Sequence, residues 1–86
     1  MPVTVQLTYD MSKEVGAGRI EVAGARTVAD VLAATRARFA DPARFDQLAR
    51  VTAIAVNGVL ASYRRGKSTK LADGDTVAFV KAAAGG

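Results

Sequence analysis

The sequence predicts an α+β domain in which a mixed sheet packs against one main helix. Three observations carry that reading. The chain opens on an alternating run of apolar and polar residues. It then passes through a capped segment with apolar residues three and four apart. It ends in further alternating runs separated by glycine-containing turns. Eighty-six residues suffice for one domain.

Taken in order, Val3, Val5, Leu7 and Tyr9 alternate with Thr4, Gln6 and Thr8, which predicts a strand with one apolar face. Gly16-Ala17-Gly18 supplies a turn, and Ile20 and Val22 alternate with Arg19 and Glu21 in a second strand, so the two runs predict an N-terminal hairpin. Thr27-Val28-Ala29-Asp30 has the form of a capping box with Asp in place of Glu. Val28, Val31, Leu32, Thr35 and Phe39 then share one face of a helix of about twelve residues. Asp41-Pro42 starts a short second helix anchored by Phe45 and Leu48. Ile54 and Val56 alternate with Ala53 and Ala55, Asn57-Gly58 makes a tight turn, and Val59-Leu60 begins a short return strand. After a basic stretch and a turn at Asp73-Gly74, Thr76 to Val80 forms the last strand, with Val77 and Phe79 inward. Strands gathered around one long helix give the β-grasp arrangement. Residues 1–80 form the domain and 81–86 a tail with a Gly-Gly end.

Composition excludes several chemistries. The chain has no cysteine and no histidine, so thiolate nucleophiles, disulfides, imidazole acid–base catalysis and Cys/His zinc sites are absent. The acidic residues are scattered singly, and no metal site is expected. Half of the residues are hydrophobic and 23% charged, as in a globular chain. A net charge of +4 allows an anionic partner without requiring one. No apolar run is long enough to span a membrane, and Met1-Pro2-Val3-Thr4-Val5 does not resemble a secretory signal, so a cytoplasmic location is expected.

Three motifs need weighing. Ala61-Ser62-Tyr63-Arg64-Arg65-Gly66-Lys67-Ser68 nearly matches a phosphate-binding loop, but Asp73-Gly74 follows too soon for the helix whose N-terminus would hold the phosphates. Arg64, Arg65, Lys67, Lys70 and Lys81, with Tyr63 beside them, could track a nucleic-acid backbone. A single aromatic makes a poor stacking platform, so nucleic acid is disfavoured against an acidic protein partner or a solvated loop. Gly85-Gly86 is the most specific handle. A carboxylate flanked by residues without Cβ can thread a channel that any side chain would block. The six residues from Lys81 to Gly86 span at most roughly 20 Å, enough to reach another protein's active site.

Val56-Asn57-Gly58, then Leu71-Ala72-Asp73-Gly74-Asp75-Thr76-Val77-Ala78-Phe79, then Gly85-Gly86, resembles the ubiquitin-like sulfur-carrier family, which includes the molybdopterin synthase small subunit and the thiamine-pathway sulfur carrier. The resemblance covers essentially the whole chain. It implies a carrier protein rather than an enzyme, with no bound cofactor. A ubiquitin-activating-type enzyme would use ATP and Mg to adenylate the carboxylate of Gly86, and a sulfur donor would convert it to a thiocarboxylate. Gly85 would keep the tail slim. The partner would dock on Leu60 and Val80 and along Lys81, Ala82, Ala83 and Ala84. Sulfur would then pass to a larger catalytic subunit or another sulfur-accepting enzyme, with molybdopterin synthesis the expected pathway. Thiamine, cysteine or another metabolite, and a protein modifier joined through Gly86, are alternatives. A non-conjugating ubiquitin-like interaction module is the reading from a different class. Lys81-Ala82 stand where molybdopterin synthase small subunits usually carry Pro-Pro, and the outward face of the first strand is polar where an aromatic often joins the docking patch.

Overall fold

The computed structural model describes residues 1–81. In chain order these form β1 (Val3–Gln6), α1 (Tyr9–Val15), β2 (Arg19–Val22), α2 (Val28–Ala37), α3 (Pro42–Ala49), β3 (Thr52–Val56), β4 (Val59–Leu60) and β5 (Thr76–Lys81). Two 3-10 turns, at Ala61–Tyr63 and Gly66–Ser68, lie between β4 and β5. The strands make one five-stranded sheet in the order β2-β1-β5-β3-β4. β1 and β5 run parallel, and every other pair is antiparallel.

The expected N-terminal hairpin is corrected. β1 and β2 do pair, Val5 opposite Ile20, but a helix rather than a turn joins them. Thr8 ends the strand by capping that helix, its Oγ1 accepting the Met11 N–H at 3.2 Å. Gly16 closes it in the left-handed region at φ 86°, which a side chain would resist. Met11 is fully buried, whereas Tyr9, expected inward on a strand, is 76% exposed.

The capping box of α2 is complete. Thr27 Oγ1 accepts the Asp30 N–H, and Asp30 Oδ2 accepts the N–H of both Thr27 and Arg26. Those two backbone bonds hold the Asp30 carboxyl below the usual range. The helix spans ten residues and stops before Phe39, which is buried beyond its end. Asp41 caps α3 by accepting the Ala43 N–H, and Phe45 and Leu48 turn inward. Phe45 meets Phe39 edge-on at 5.3 Å and Phe79 edge-on at 6.2 Å, so one ring ties both helices to the central strand. The core therefore lies between one sheet face (Val3, Val5, Ile20, Val56, Val77, Phe79) and the helices (Met11, Val28, Val31, Phe45, Leu48).

The turn motifs acquire a mechanical explanation. Asn57 and Gly58 have φ of 50° and 85°, the double positive value of a type I′ hairpin. Asn57 Oδ1 accepts the Thr76 N–H at 2.9 Å, and its Nδ2 donates to Asp75 Oδ1 at 3.1 Å. Asp75 Oδ2 accepts the Ala72 N–H at 2.8 Å. Val-Asn-Gly and Asp-Gly-Asp thus clamp the β3–β4 turn to the start of β5. The Ala72 amide and the Asn57 side chain hold the Asp75 carboxyl below its ordinary value.

Candidate functional site

Residues facing each other in adjacent strands share a sheet face, so the register assembles the face opposite the helices. Leu60 stands opposite Ala55, Ala55 opposite Ala78, and Ala53 opposite Val80. This makes an apolar strip of small side chains flanked by two larger ones. Toward β1 and β2 the same face becomes polar, with Gln6 beside Ala78 and Thr4 beside Thr76, then Arg19 and Glu21. Val80 is 47% exposed and Leu60 half-buried. The structure therefore brings the two sequence-predicted docking residues together on one open face, while Val77 and Phe79 fill the core as expected.

Lys81, counted with the tail in the sequence, is the last residue of β5, opposite Thr52 and exposed. Ala82, Ala83, Ala84, Gly85 and Gly86 lie outside the described residues. β5 lies between β1 and β3, so the described residues end in the middle of the sheet, beside Val80.

Sequence reasoning missed Tyr9. At the start of α1, it lines a concavity of ≈ 480 Å³ shared with Gln6, Ala78, Val80 and Lys81. Lys13 Nζ sits 4.8 Å from the centre of its ring. An exposed aromatic thus borders the apolar strip although the outward face of β1 is polar. The signal that could have found it was Thr8 as a helix cap, which the alternation of the preceding residues concealed.

The basic stretch does not form one cluster. Arg64, Arg65 and Lys70 surround Thr69, Lys67 lines a separate groove beside α2 and α3, and Lys81 lies at the far end of β5. The near-match to a phosphate loop leads into the 3-10 turn at Gly66–Ser68 rather than a helix. Among the described residues no group of three metal-ligating side chains occurs, and no helix is long and apolar enough to cross a membrane. The open face offers an apolar strip with a polar margin as surface for binding.

Comparisons agree with this geometry. A chain of the Amycolatopsis orientalis BexX/CysO complex superposes with a TM-score of 0.79 at 25% identity, covering 98% of this chain and 99% of that one. Mycobacterium tuberculosis CysO gives 0.79 at 23% identity, covering 94% and 99%. The small archaeal modifier protein 1 of Methanosarcina acetivorans gives 0.82 at 21% identity, covering 99% and 96%. All share the ubiquitin-like β-grasp fold. Comparison with curated proteins gives no match. The model of the ThiS family matches residues 10–86, leaving only β1 and the residues next to it outside, and on that match the chain belongs to the ThiS family of ubiquitin-like sulfur carriers.

Proposed function

We propose that this protein carries sulfur on the carboxylate of Gly86. A carboxylate oxygen attacks the α-phosphorus of ATP on a ubiquitin-activating-type enzyme and expels pyrophosphate; sulfide then adds to the acyl carbon and expels AMP, leaving the thiocarboxylate. Adenylation is needed because a bare carboxylate is a poor electrophile. The chain supplies the carboxylate and a slim approach through Gly85, and the partner supplies ATP, Mg and catalysis. The observation that carries this reading is a family match running through Gly86 in a chain whose central strand ends beside an open apolar face.

The activating enzyme docks on Leu60 and Val80, with Tyr9 as the aromatic border, and Lys81, Ala82, Ala83 and Ala84 lead into its active site. Delivery is to the larger subunit of a molybdopterin synthase, in the cytoplasm. The likeness to a chain of the BexX/CysO complex over nearly the full length of both proteins favours a second reading within the same chemistry, a carrier serving a different sulfur-accepting enzyme.

The test is the mass of the chain after incubation with ATP, sulfide and each adenylating enzyme of its host. Thiocarboxylation adds about 16 Da, the same nominal gain as oxidising Met1 or Met11, so the terminal fragment must be sequenced. Gain at Gly86 supports the carrier. An unmodified terminus with every such enzyme would overturn it and leave the interaction module in front.

A further inference from the structure

We infer that the groove between the α2–α3 pair and the edge of β3, which the 3-10 turn Ala61–Tyr63 borders without pairing to it, docks an extended acidic segment of a partner protein, laid beside Thr52–Ile54 as an added strand. β4 is only two residues long and pairs with Ala55 and Val56 alone. In a two-residue hairpin the residues flanking the turn, here Val56 and Val59, form a hydrogen-bonded pair. Alternation along the strand then aims the N–H and C=O of Ile54 and Thr52 the same way, past the end of β4. Among the described residues no backbone hydrogen bond joins either residue to a segment on that side. An extended peptide meets such a row directly.

The surface beside that row is concave. Two hollows, of ≈ 500 and ≈ 210 Å³, share Thr52, Ile54 and Lys67 and so form one groove. Leu32, Phe45, Ala49 and Ile54 make its apolar floor. Arg36, Arg50 and Lys67 stand at its margin with one carboxylate, Asp46. Asp46 already receives the Arg36 guanidinium at 3.1 and 3.3 Å, which lowers its pKa and leaves Arg50 and Lys67 as the surplus charge. The asymmetry is written into the chain, since Gln47 to Ala72 contains five basic residues and no acidic one. The complementary occupant sets apolar side chains on the floor and carries carboxylates on the residues that flank them, at the margin.

The location matters. Thr52 stands opposite Lys81, so β3 alone separates the docked strand from the end of β5, and the strand's floor-facing side chains lie on the helix side of the sheet, the face opposite Leu60 and Val80. A partner using both surfaces would grip β3 and β5 from two sides. Binding here needs no sulfur chemistry and stands apart from the proposal above.

The probe is a capped peptide with a short valine core flanked on both sides by glutamates, titrated into isotopically labelled protein while amide shifts are followed. The expected result is saturable shifts at Arg50, Thr52, Ala53, Ile54 and Lys67. Affinity should drop about tenfold or more in Arg50→Glu with Lys67→Glu, and shifts should vanish when lysine replaces glutamate in the peptide. Both substituted side chains are exposed, and the lysine peptide tests the same point on the unaltered protein. A chain lacking Gly85 and Gly86 should bind equally well, so a failed thiocarboxylation leaves this inference intact. Shifts centred on Arg64, Arg65 and Lys70, binding unchanged in the double variant, or no shifts at millimolar peptide would overturn it. In that case Lys67 merely guards an exposed edge against aggregation.

Discussion

Asn57 holds a left-handed backbone angle and joins two segments through a single amide group. Asn57→Ala should destabilise the fold by about 2 kcal/mol, combining the left-handed penalty with lost hydrogen bonds. Asn57→Gly keeps the angle and should cost less; urea unfolding separates the two. The carboxyls of Asp30, Asp46 and Asp75 are all held low, by backbone amides, by Arg36, and by the Ala72 amide with Asn57 respectively. Each therefore binds its proton more weakly folded than unfolded. Their contribution is complete above the unfolded value near pH 4 and is lost as pH falls below it, through the folded values. Thermal melts should be flat around neutrality and drop on acidification below about pH 4, with a shallower drop in Asp75→Asn. An acid limb unchanged by that substitution would contradict the assignment. Tyr9 was hidden from sequence reasoning because strand alternation remains formally satisfied through position 9 even though the strand ends at Gln6.

The caps decide where the helices begin. Thr27→Ala removes one half of a reciprocal pair and should cost about 1 kcal/mol, read as a lower midpoint in urea with unchanged slope. Phe45 links α3 to β5 and to the end of α2, so Phe45→Ala should cost about 3–5 kcal/mol, a large share of what a domain this size possesses. Loss of a cooperative melt is the expected reading. These elements were legible in the sequence because their signals are local: Thr-x-x-Asp, Asp-Pro, Asn-Gly and alternating apolar residues each act over a few positions. α1 was not. It has seven residues and buries only Met11 completely, so no periodicity exposes it. Its two true markers, Thr8 and Gly16, also fit a strand followed by a turn. Leu60 and Val80, proposed for docking, came from resemblance, and only the register shows that they share a face. The groove beside β3 could not be read from the chain, because it is made by what β4 fails to cover.

Among the described residues, one side of the sheet holds the core while the other exposes Val80 near the end of β5. Val80→Glu should therefore leave stability within about 0.5 kcal/mol while lowering adenylation efficiency about tenfold or more. Tyr9→Ala should act in the same direction. Circular dichroism with a pyrophosphate-release assay checks both halves, and normal turnover in Val80→Glu would remove this face from the docking surface. The parallel pairing of β1 with β5 has a further, mechanical consequence. Thr4 lies opposite Thr76 and Gln6 opposite Ala78, so Val3 and Lys81 sit at opposite ends of neighbouring strands. Tension applied between those residues slides the strands past one another. It strains the rungs of the β1–β5 ladder together instead of breaking them one by one. Held by β3 on its other flank as well, β5 resists extraction. In single-molecule stretching, anchors at Val3 and Lys81 should demand markedly higher force than anchors at Val56 and Val59, which peel a two-residue strand from the edge.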